Sequence, residues 1–163
     1  MPMNTQPTEL SRVASEIEDA VDNVLQQSSD LPEALLLFKP TESAWCIKEV
    51  VGHLIDSASN NHQRMVRLQV KDRLVFPDYQ HDNDKWVRLQ VYTKRPWPEL
   101  LALWQHFNRH IAHLIRSVDA SCLKHVWIQD SKSPISLVNL MRDYLRHLRL
   151  HLDQIDEIKQ HWT

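Results

Sequence analysis

Apolar residues recur at steps of three and four in four long segments of this chain, the period of helices buried on one face. The first segment runs from about Thr8 to Gln27, with Leu10, Val13, Ile17, Val21, Val24 and Leu25 as its stripe. The second spans about Ile47 to Val70 and carries Val50, Val51, Leu54, Ile55, Ala58, Met65 and Leu68. A third, from about Pro98 to Asp119, carries Leu100, Trp104, Phe107, Ile111, Leu114 and Val118. Pro96 and Pro98 suit its entry, where a missing N–H costs nothing. The fourth opens at Ser136, a predicted N-cap, and continues through Leu137, Met141, Tyr144, Leu148, Leu152 and Ile155. The pattern predicts an all-α four-helix bundle, one domain over residues 1–163. The connection from Lys71 to Arg95 is the longest and holds a short helical turn around Asp82 to Leu89. If it runs the length of the bundle, the second and third helices are parallel.

Composition sharpens this picture by exclusion. The chain has one glycine against eight prolines, where average usage of about 7% would supply around eleven glycines. Glycine-rich phosphate cradles and tight hairpins are therefore excluded, and with them dinucleotide fingerprints, Walker loops and a β-rich fold. A net charge of −2 provides no footprint for nucleic acid. No apolar run approaches the roughly 20 residues of a membrane span. The start, MPMNTQPTEL, lacks the basic and apolar regions of a signal peptide. Two cysteines, Cys46 and Cys122, make no disulfide framework, and a reducing cytoplasm is the simplest expected home. The surplus lies in ten histidines and six tryptophans.

Two histidine pairs have the i, i+4 spacing that stacks imidazoles on one helix face: His106/His110, extended by His113, and His147/His151. The first group falls on the flank and polar side of its helix, whereas the second lies near the apolar stripe and points inward. Metal sites in bundles are built from inward residues on facing helices, so the second pair is the candidate, with His53 of the second helix as a third ligand. His53 begins a narrow polar line that continues through Asp56, Asn60 and Arg64, at steps of three and four. Such a line fits either a wet pocket inside the bundle or a solvated face. Trp45, Trp104, Trp127 and Tyr144 read as core.

The run AWCIKEVVGHLIDSASNNHQRMVRL resembles the signature of the DinB-like superfamily, at Trp45, His53, Asp56, Asn60 and Arg64. The segment PDYQHDNDKW is similar to the loop of the YfiT-like branch, with Asp82, Asn83 and Asp84 before Trp86, and DYLRHLRLHLDQI matches its C-terminal pattern at Tyr144, His147, His151 and Ile155. The resemblance implies an up-down-down-up bundle and a divalent metal, often nickel or zinc, held by His53, His147 and His151. It also implies a homodimer acting on a small-molecule substrate. Characterised relatives are metal-dependent thiol transferases that use low-molecular-weight thiols such as bacillithiol, a thiol-dependent isomerase, and proteins described as metal hydrolases. Cys46 departs from the capping Ser or Thr that often follows the Trp, which is expected to weaken the cap.

The expected function is thiol transfer to an electrophile at this metal. Hydrolysis by metal-activated water, or a non-enzymatic metal-binding stress protein, are the alternatives. Asp56, Asn60 and Arg64 are the expected catalytic residues. Asp56 and Asp143 are expected to orient histidine rings, and Arg64 to meet a carboxylate or to brace Asp82 or Asp84. No HExxH glutamate accompanies the histidines, which disfavours zincin chemistry. Gly52, inside the second helix just before His53, predicts close approach of another group beside the site.

Overall fold

A computed structural model describes residues 8–77, 82–129 and 132–162 of the chain. The expectations for the N-terminal residues 1–7, and part of the PDYQHDNDKW segment, lie outside these residues. In chain order the described elements are α1 (Glu9–Ser28), α2 (Glu33–Leu36), α3 (Ile47–Val70), β1 (Arg73–Val75), α4 (Asn83–Gln90), α5 (Trp97–Arg116), β2 (Val126–Ile128), β3 (Ile135–Ser136) and α6 (Leu137–His161). A 3₁₀ turn at Tyr92–Lys94 joins α4 to α5.

The helix starts follow from local chemistry. Thr8 Oγ1 accepts the Ser11 N–H at 3.1 Å, and Ser136 Oγ accepts that of Asn139 at 3.4 Å. At α3 the closing contact comes from the other direction. Glu49 Oε2 accepts the Cys46 N–H at 2.9 Å and is held by Lys39 at 2.8 Å, so Glu49 supports the start that Cys46 was expected to weaken.

Side-chain pairs fix the directions of the four long helices. Glu9 pairs with Arg142 and Glu16 with Arg149, each 133 residues apart, and Lys159 meets Ser28 at a separation of 131. Residue numbers rise together, so α1 and α6 are parallel. Between α1 and α5 the order reverses, with Arg109 on Asp22 and Arg116 on Glu18, which makes that pair antiparallel. His53 meets both His147 and His151 while Ser57 meets His147, so α3 is antiparallel to α6. Helix α3 packs on α5 and α6, and α1 packs on the same two. The order is up-down-down-up, with α3 and α5 parallel and joined by the long connection.

Trp104, Ile17, Ile111, Ile115, Met141 and Leu148 are fully buried where the four helices meet. At one end, three short strands lie in the order β1-β2-β3, with β1 parallel and β3 antiparallel to β2. Trp127, at the centre of β2, donates its indole N–H to the Phe76 carbonyl at 2.8 Å. Helix α3 is buried almost all round over its first three turns, polar residues included, because α4 and the 3₁₀ turn cover the flank that a four-helix bundle would leave open.

Candidate metal centre

Gly52 and Tyr92 show how α3 is placed. A Cβ built on Gly52 would overlap the Tyr92 ring, so the ring lies directly across the helix backbone. Tyr92 donates its hydroxyl hydrogen bond to Asp56 Oδ1 at 2.7 Å, and Gln90 Nε2 donates to the same oxygen at 2.7 Å. The lone glycine, one residue before His53, admits the close neighbour that its position predicts.

Three imidazoles converge where α3 faces α6. His53 Nε2 stands 3.4 Å from His147 Nε2, which stands 3.1 Å from His151 Nε2, and one donor atom from each residue lies within 4.8 Å of the others. Two nitrogens bound to one zinc at about 2.0–2.1 Å in tetrahedral geometry would stand ~3.4 Å apart, so the spacing fits a shared ion. His151 Nδ1–H donates to Gln154 Oε1 at 2.8 Å, and His147 Nδ1 faces Ser57 Oγ at 3.4 Å, which turns both Nε2 lone pairs inward. The indole of Trp45 covers the His53 ring at 4.9 Å and the His151 ring at 6.3 Å, and its N–H is held by Asp84 Oδ1 at 2.9 Å.

Burial, then the two neighbouring imidazoles, pushes His53 down to about 3. Burial and His151 push His147 down to about 4, and burial lowers His151 against the opposing bond from Gln154. All three rings are neutral at pH 7. They are donors with no charge to set against a cation, a set that suits zinc, nickel or copper.

A cavity of about 70 Å³ opens beside His53 and His147, lined also by Ser57, Asn61, Arg64, Asn83, Trp127, Tyr144 and Asp143. Arg64 is buried, with its guanidinium 3.8 Å above the Trp127 ring. Tyr144 closes another wall and donates to Asn108 Oδ1 at 2.6 Å.

The structure brings His53, His147, His151 and Arg64 together but not Asp56 or Asn60. Asp56 turns to Tyr92 and Gln90, and burial raises its pKa against those two bonds. Asn60 Nδ2 returns to the Asp56 carbonyl of its own helix at 3.0 Å. The line facing the cavity is His53, Ser57, Asn61 and Arg64, which differs from the expected one only in taking its steps of four first. Asp56 therefore does not orient a histidine ring as expected. Asp143 does not either: it lines the cavity mouth and accepts from Arg146 at 2.7 Å. Asp84 serves Trp45. Sequence reasoning missed Ser57, Asn61 and Gln154, and named Asn83 only as part of the family loop without a role at the site. Gln154 had a signal, three residues after His151 and on its face.

Comparison with known proteins agrees with this architecture. The family model described as the DinB superfamily matches residues 16–155. "Putative metal-dependent hydrolase YfiT" of Bacillus subtilis (strain 168) is 24% identical over 152 residues, covering 93% of this chain and 80% of that protein. A similarly named relative from Bacillus cereus (strain AH820) is 23% identical over 146 residues, covering 89% and 82%. The solved structure of YfiT from Bacillus subtilis, which has "an unusual four-helix bundle topology", superposes with a TM-score of 0.82 at 21% identity, over 98% of this chain and 91% of that one. With most of its length matched by one family model and its bundle shared with YfiT, this chain belongs to the DinB superfamily.

Proposed function

We propose that the chain is a divalent-metal-dependent enzyme that uses His53, His147 and His151 to bind zinc or nickel and transfers a low-molecular-weight thiol to an electrophilic small molecule. The observation that carries this reading is the convergence of three neutral Nε2 donors beside a polar cavity. When bound, a divalent ion supplies undiminished positive charge, enough to bring a water's pKa to about 7 and to deprotonate a thiol. The chain's own residues set the rest. Gln154 and Ser57 hold the imidazoles, and Trp45 screens His53 and His151 from water. Arg64 gives the far wall a positive charge suited to a carboxylate on thiol or substrate.

Hydrolysis at the same site is the second reading, supported by the names of the relatives and by a carboxylate, Asp143, in the cavity lining that could serve as a general base. Incubating metal-loaded protein with monobromobimane and a panel of small thiols separates the two. Thiol transfer predicts consumption of the electrophile above background that saturates with one thiol and is lost in His147→Ala. Ester or amide cleavage that proceeds without thiol would establish hydrolysis instead.

A further inference from the structure

A second group of imidazoles lies outside the cavity, where α3 and α5 run side by side. His62 of α3 and His110 of α5 have ring centroids 5.3 Å apart with planes at 42°, the same separation as His53 and His147. His113, one turn along α5, stands 6.3 Å from His110. Phe107 packs edge-on against His62 at 6.0 Å and forms an apolar wall to the group. His62 is half-buried, whereas His110 and His113 are exposed. Burial and the His110 ring lower the pKa of His62, so its lone pair is available at neutral pH.

We propose that His62 and His110, with His113 as third donor, form a second, solvent-facing site for a zinc, nickel or copper ion, which clips α3 to α5. Imidazoles from two helices chelate such ions without a carboxylate; the three donor atoms do not already converge as those at the cavity do, so the exposed rings of His110 and His113 would turn toward a shared ion on binding. The clip ties the parallel pair whose chain connection is the longest in the fold. Its occupation stabilises the bundle by mass action, apart from any role of the cavity.

Calorimetric titration of the full, tag-free chain with Zn²⁺, after a chelator has removed any metal it carries, tests this. Wild type takes up two equivalents, and His62→Asn or His110→Asn takes up one. His106→Asn retains both, and His147→Ala retains the solvent-facing one. In the His147→Ala chain, Zn²⁺ raises the thermal midpoint, and adding His62→Asn removes that rise. The proposal is overturned if His62→Asn still binds two equivalents. It is equally overturned if His106→Asn, rather than His62→Asn, abolishes the second, which would mark a chelate within α5 alone. A wild type with one equivalent contradicts this site when His147→Ala removes it, and contradicts the cavity centre instead when His62→Asn does.

Discussion

Gly52 leaves the space that the Tyr92 ring fills, and Tyr92 in turn holds Asp56. Gly52→Ala gains about 1 kcal/mol of helix propensity but drives a Cβ into an anchored ring, a clash of the kind that costs about 1–3 kcal/mol. Chemical denaturation should show net destabilisation in Gly52→Ala, and the penalty should vanish or reverse when Tyr92→Ala is already present. An additive pair would mean that the ring yields at no cost. The histidines were legible because their spacings set the pair on an inward face and His53 at the edge of another, and the family resemblance implied the same three. The residues around them were less so. Steps of three and four satisfy a 3.6-residue period equally well, so the sequence alone could not choose Ser57 and Asn61 over Asp56 and Asn60. Only the neighbours, α6 on one side and the Tyr92 turn on the other, make that choice.

Long elements carry their own signal and short ones do not. Helix α3 matches the predicted Ile47–Val70, and the expected turn around Asp82 to Leu89 is α4. The strands of two or three residues had no alternation to reveal them. Val126, Trp127 and Ile128 form a strand because Arg73–Val75 lies beside them and Phe76 accepts the indole N–H. Helix α2 has only four residues and is likewise set by packing. At the start of α6, the Ser136 cap holds the helix that presents His147 and His151. Replacing it, Ser136→Ala, should cost about 1 kcal/mol. A lower urea midpoint with unchanged m-value would agree, and Ser136→Asp should recover most of the loss.

For the whole molecule, the buried histidines tie stability to pH. Unfolded, His53 and His147 titrate near the ordinary 6.5, whereas in the fold they are held down at about 3 and about 4. Between these values the unfolded chain binds protons that the folded chain refuses. Their contribution is therefore complete above about pH 6.5 and is lost as pH falls toward about 4 for His147 and about 3 for His53. The thermal midpoint of metal-free protein should drop between pH 7 and pH 4.5, and His53→Leu/His147→Leu should flatten that drop. A slope unchanged in the double variant would show that these rings are not buried neutral. No described helix is long and apolar enough to cross a membrane.

Whether His53, His147 and His151 hold a metal is read from the metal content of tag-free protein by elemental analysis. One tightly held divalent ion per chain is expected at the cavity, lost in His147→Ala while the helical circular dichroism is retained. Substoichiometric metal, at a level that His53→Ala, His147→Ala and His151→Ala all leave unchanged, would contradict a metal site there.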